Sequence, residues 1–140
     1  MRVVCALIVA SIVCGCVSVP PASLYDELGE EAGIASILDE MLFLVSRDAR
    51  TRQYFEGVDL DRLHGQLTAH LCHITGGPCH YTGADMRKAH RGLGINRAHF
   101  NVMVESLTDS LQVHSVPIPV QNRLLALLRP FYADVVEAAG

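Results

Sequence analysis

Apolar residues recur at helical spacing along most of the chain. Ile34, Ile37, Leu38, Met41, Leu42 and Val45 fall at i, i+3, i+4, i+7, i+8 and i+11, one face of a helix. A second helix is predicted over 59–74. Its stripe is Leu60, Leu63, Leu67, Leu71 and Ile74, and Asp59 stands where an N-cap belongs. Thr75-Gly76-Gly77-Pro78 stops that helix and opens a polar loop over 75–84. A short helix follows over 85–90 and is broken by Gly92 and Gly94. Asn96 caps a longer helix that places Phe100, Met103, Val104, Leu107 and Leu111 on one face. Pro117 and Pro119 mark the next break. A last helix is expected from about 119 to 137, carrying Leu124, Leu127, Leu128, Phe131 and Val135, with a kink at Pro130. No segment alternates with period two, so the pattern predicts an all-α fold. A compact helical domain rarely spends ten residues on a structureless connection unless that loop has a task.

The first stretch of the chain is of a different kind. Arg2 is the only charge before Asp26, and Val3 to Val13 is an apolar run too short for a spanning helix of about 20 residues. A basic start and a short apolar run read as an export signal. The run ends in Val13-Cys14-Gly15-Cys16, which resembles the lipobox of bacterial lipoproteins, where cleavage precedes the cysteine and the cysteine is acylated. An uncleaved anchor or a plain cleaved signal are the alternatives. The expected division is a signal over 1–16 with lipidation at Cys16, a proline-containing linker over 17–23, and one domain over 24–138. The expected location is the periplasm or outer membrane, with the chain attached to a membrane through an N-terminal lipid anchor. Net charge is −4 and the pI about 5.9, so no basic face offers itself to nucleic acid.

Five of the residues between 70 and 80 are histidine or cysteine: His70, Cys72, His73, Cys79 and His80. Cys72 and Cys79 are the only cysteines outside the signal, and in an oxidising compartment a lone pair reads first as a disulfide. A zinc or copper site built from this cluster is an alternative, although the usual short brackets of structural zinc sites are missing. His90 is a third kind of candidate. It ends a short helix next to Gly92 and Gly94, which let the backbone turn close to a flat ligand such as haem. On spacing alone His90 fits equally well as an exposed histidine at a helix C-terminus.

Longer motifs separate these readings. Gly76-Gly77-Pro78 with Tyr81-Thr82-Gly83, then Met86-Arg87 with His90, Gly92 and Gly94-Ile95, then His99-Phe100, resemble the signature of the group I truncated haemoglobins. Leu24-Tyr25-Asp26-Glu27-Leu28-Gly29 and Tyr54-Phe55-Glu56-Gly57-Val58-Asp59 are similar to the same family, and the segments follow in the family's order. The resemblance implies a truncated globin, a two-over-two helical sandwich, with haem b as cofactor and a diatomic gas (O2, NO or CO) as ligand. It implies His90 as the proximal iron ligand and Phe55 as the ring packed on the haem face. Leu63, Leu67, Leu71, Met86, Ile95 and Phe100 fall at positions that surround the macrocycle. It implies gas binding rather than catalysis, with nitric oxide chemistry and an unidentified redox partner as open uses.

The distal side departs from the pattern. Leu42 stands where many members carry a tyrosine, and Leu67 where members often carry a glutamine; Gln66 lies beside it and Leu63 takes the gate position. His70 lies on the same face as Leu63 and Leu67, as a buried structural histidine, a hydrogen-bond donor or a second axial ligand. His64 and His73 are expected in solvent. A Cys72–Cys79 disulfide would pin the loop that leads to His90.

Overall fold

The computed structural model describes residues 21–137, so the signal, its Cys16 and the first part of the linker lie outside the described residues. Among the described residues every regular element is helical. Seven α-helices follow in order: α1 (Leu24–Glu27), α2 (Glu30–Val45), α3 (Leu60–Ile74), α4 (Met86–His90), α5 (Arg97–Val113), α6 (Ile118–Leu128) and α7 (Tyr132–Val135).

The predicted stripe of α2 is the centre of the core. Ile34, Ile37, Leu38, Met41, Leu42 and Val45 are all buried, and α2 packs against α3 on one side and α5 on the other. Burial of such side chains stabilises by about 1.5–3 kcal/mol each. Polar ends are covered locally. Ser23 and Asp26 form a capping box on α1, Asp59 accepts from the Arg62 amide of α3 at 3.0 Å, and Asp85 accepts from the Lys88 amide of α4 at 2.8 Å.

Three sequence expectations are corrected here. Along α5 Leu107 and Leu111 are buried as expected, but Val102, Ser106 and Ser110 are buried with them, in place of Phe100, Met103 and Val104. Small serines let the two helices approach, and the Ser110 hydroxyl, fully buried, donates to the Ile37 carbonyl. Phe100, Met103 and Val104 are left half-buried, Met103 with one flank on the core. The last helix is not continuous to 137. α6 ends at Leu128, a 3-10 turn covers Arg129–Phe131, and α7 is a separate short helix. Pro130 has no amide to donate and its ring collides with the preceding turn, so the helix breaks rather than merely kinks. Along α6 the buried residues are Val120, Gln121 and Leu124, whereas Leu127 is exposed. Finally, His64 is not in solvent. Its Nε2 lies 2.9 Å from the Ala35 carbonyl and 3.2 Å from Asp39 Oδ1, which pins α3 to α2. His73 is exposed, as expected.

Candidate haem site

His90 ends α4 and is half-buried. Its Nδ1 sits 2.7 Å from the Met86 carbonyl one turn back. A carbonyl can only accept, so Nδ1 carries the proton and Nε2 keeps a lone pair. That is the tautomer of a histidine prepared to ligate a metal through Nε2. A five-residue helix does not hold its place unaided, and α4 is braced from the C-terminal segment. Arg87 donates to Asp134 of α7 at 3.0 Å from Nε and 2.6 Å from its terminal nitrogen. The Gly92 amide donates to Glu137 Oε1 at 2.5 Å, and the Glu137 amide returns to the Ile95 carbonyl at 2.9 Å. Phe100 and Tyr132 meet edge to face with centroids 5.0 Å apart. Gly92 and Gly94 have φ of +78° and +65°, the left-handed region in which side chains are strained, so the sharp exit after His90 requires glycine.

Several apolar side chains are only partly covered by the core. Phe55, Leu63, Leu67 and Met103 pack on the buried cluster with one flank and remain half-exposed on the other. Met86, Ile95 and Phe100 are likewise half-buried. Leu42 and Leu71 lie deeper, each 5 % exposed, and belong to the core floor. Phe55 is presented by the 3-10 turn Arg52–Tyr54, whose Tyr54 hydroxyl lies 2.8 Å from His99 Nδ1 on α5. Gln66 is exposed and reaches Gly83 instead: a Cβ on Gly83 would lie 2.6 Å from its Oε1.

His70 is the exception on this face. It is 8 % exposed, and neither ring nitrogen has a hydrogen-bond partner among the described residues. Its ring is held by edge contacts with Tyr81 at 4.7 Å and Phe131 at 5.3 Å. Burial, reinforced by the charge of His73, pushes its pKa below the ordinary imidazole range, so the ring is neutral. Tyr81 and Phe131 were not among the expected site residues. Tyr81 was visible only as part of a motif, and Phe131 only as one member of a helical stripe that the structure breaks.

The zinc or copper alternative does not survive. Among the described residues no group of three or more histidine, cysteine, aspartate or glutamate side chains converges as metal ligands. The Sγ atoms of Cys72 and Cys79 are bonded to each other across a Cα separation of 5.8 Å, which removes both thiolates. His73 Nδ1 is turned to the Cys79 carbonyl at 3.2 Å, and His80 is exposed. The bond joins the end of α3 to the loop. Gly77 is required beneath it, because a Cβ there would lie 2.5 Å from the Tyr25 ring and 2.7 Å from Cys72 Sγ.

Comparison with known proteins agrees with this geometry. The family model described as bacterial-like globin matches residues 23–137. The group 1 truncated hemoglobin GlbN of Mycolicibacterium paratuberculosis is 30% identical over 115 residues, covering 82% of this chain and 85% of that protein. The group 1 truncated hemoglobin of Tetrahymena pyriformis is 28% identical over 116 residues, covering 83% and 96%. The crystal structure of the Tetrahymena pyriformis protein in its Fe(III) form superimposes with a TM-score of 0.79 at 27% sequence identity, covering 84% of this chain and all (100%) of that one. The chain is a two-over-two globin and belongs to the group 1 truncated hemoglobins. Haem with its iron is the cofactor that comes with that family. The residues present fit it. One histidine has the correct free nitrogen, several large apolar side chains are only partly covered by the core, and a buried imidazole on the helix face of Leu63 and Leu67 lacks a partner among the described residues.

Proposed function

We propose that this protein is an exported, lipid-anchored haem globin that binds a diatomic gas, with His90 as the proximal ligand. The observation that carries the reading is the 2.7 Å contact from His90 Nδ1 to the Met86 carbonyl, which reserves Nε2 for the metal. Met86, Ile95, Phe100, Phe55, Leu63 and Leu67 would pack around the macrocycle, as the resemblance implies. Bound haem would supply the iron, and the protein would supply a dry apolar wall and one oriented imidazole. Cleavage before Cys16 and acylation of that residue would attach the domain to a membrane through the linker at 17–23, in the periplasm or at the outer membrane. No helix of the described residues is long and apolar enough to cross a membrane.

The distal wall sets the ligand preference. Leu42, Leu63 and Leu67 offer no hydroxyl or amide to bound dioxygen, which draws negative charge from the iron and is retained by such donors. Carbon monoxide and nitric oxide depend less on a donor, so they are the better-held ligands, and oxygen carriage is disfavoured. The experiment is reconstitution of the full chain with haemin. A stoichiometric Soret band that is lost in His90→Ala supports the assignment. A Soret band that survives His90→Ala unchanged removes His90 as the ligand, and failure to take up haemin at all removes the function.

A further inference from the structure

His70 is more than nine-tenths buried, yet both of its ring nitrogens are without partners among the described residues. Buried polar groups are almost always satisfied, so an orphaned imidazole asks what it was placed to meet. Helical phase narrows the answer. At about 100° per residue, Leu63, Leu67, His70 and Ile74 stand in one line along α3. Leu63 and Leu67 on that line are the half-covered leucines of the cleft. The other buried orphan of α3, the Thr68 hydroxyl, lies about 200° round from His70, on the side where His64 and Leu71 meet α2. His70 is therefore the buried polar side chain of α3 that shares the cleft line.

Its present contacts would not hold it there against a stronger partner. Tyr81 and Phe131 touch the ring by their edges and donate nothing to its nitrogens. The Tyr81 hydroxyl is committed to the Ala84 carbonyl at 2.7 Å. Rotation of His70 about its side-chain torsions breaks no hydrogen bond. The leucines that share this line of α3, Leu63 and Leu67, cannot ligate iron or support a bound water. A neutral imidazole is the form that ligates iron.

We propose that His70 is the sixth ligand of the haem iron when no gas is bound, so that incoming gas must displace it. This rests on the haem reading above. The donated lone pair comes from a neutral ring and no proton or electron changes hands. His70 would then make the resting ferric protein six-coordinate and low-spin, and would slow ligand capture. A ring holding the site about nine-tenths of the time lowers the apparent capture rate roughly tenfold.

The test uses the full chain loaded with haemin, observed by optical absorption and electron paramagnetic resonance at neutral pH. The ferric wild type is expected to be low-spin with two nitrogen ligands. His70→Phe, which refills the space between Tyr81 and Phe131, is expected to become high-spin, with cyanide and carbon monoxide captured roughly tenfold faster. His70→Ala should show the same spectrum if the larger ring disturbs folding. His64→Ala and His73→Ala should leave the low-spin spectrum intact. A high-spin wild type overturns the proposal, and so does a low-spin spectrum that survives both His70 variants, which would mean that another side chain supplies the sixth ligand. In each of those cases the Soret band and its dependence on His90 would stand, so the two readings fail separately.

Discussion

The two walls of the cleft are built on opposite principles. On the His90 side the groups that hold α4 are hydrogen-bonded: Nδ1 with the Met86 carbonyl, Arg87 with Asp134, the Gly92 amide with Glu137. On the α3 side the wall is leucine, and its buried imidazole has none. A short helix needs external hydrogen bonds to fix a ligand's direction, because five residues give it no stability of its own. A long helix buried against α2 is already fixed by packing, so its side chains can vary without loss of fold. The difference teaches where a globin of this kind tolerates change. The proximal wall is constrained by geometry, while the distal wall is free to set ligand preference.

The connection between the walls offers the largest test of that contrast. Cys72 is fully buried at the end of α3, and its bond to Cys79 shortens the loop leading to α4. Closing so small a ring stabilises by about 2–3 kcal/mol in the chain-entropy account. Cys72→Ser with Cys79→Ser, or reduction of the wild type, should lower the melting temperature by roughly 10 °C and speed haem loss. Superimposable melting curves with and without reductant would show that the loop needs no clamp.

Restoring a donor to the distal wall comes next. Leu42→Tyr returns a hydroxyl to the position where the resemblance places one. A hydrogen bond of about 1–1.5 kcal/mol should slow oxygen dissociation roughly tenfold, measured by stopped flow, with carbon monoxide dissociation changed much less. Equal effects on both gases would mean that the new side chain alters access rather than polarity.

A smaller effect is expected on the proximal brace. Arg87→Ala removes an exposed pair with Asp134, and exposed ion pairs contribute about 0–1 kcal/mol. The expected result is a shift in the iron–histidine stretching frequency with little change in melting temperature. An unaltered frequency would assign the orientation of α4 to Glu137 and the Phe100–Tyr132 contact instead. The smallest effect lies away from both walls. The Asp48 carboxyl is held down to about 2 by its hydrogen bonds from the Arg50 side chain and amide. A carboxyl depressed in the fold adds stability above its ordinary value of 3.8, and that stability is lost as pH falls through about 2. Asp48→Asn should flatten the melting temperature against pH across that window and leave the spectrum of the haem untouched.

Much of the architecture could be read in advance, and the reasons are local. The stripe of α2, the caps at Asp59, Asp85 and Asn96, and the glycines that end α3 and α4 are all effects of neighbouring residues, and α3 and α4 begin and end within a residue or two of their expected places. Errors came where packing between distant elements decides. Ser106 and Ser110 look polar in sequence, yet both are buried, and the Ser110 hydroxyl donates to the Ile37 carbonyl of α2. His64 looks like a surface residue until α2 presents the Ala35 carbonyl.

The site divides in the same way. Taken as a sequence, the chain determines His90 at the end of a short helix, its flanking glycines, and the leucines of the distal stripe, because helical period and turn chemistry act over a few residues. Only the tertiary structure decided that Nδ1 of His90 is committed and Nε2 free, that Asp134 and Glu137 brace α4 from 45 or more residues away, and that His70 is enclosed by Tyr81 and Phe131 with no partner. Those facts depend on which surfaces meet, and a periodic pattern of apolar residues states that a face is buried without stating what it is buried against.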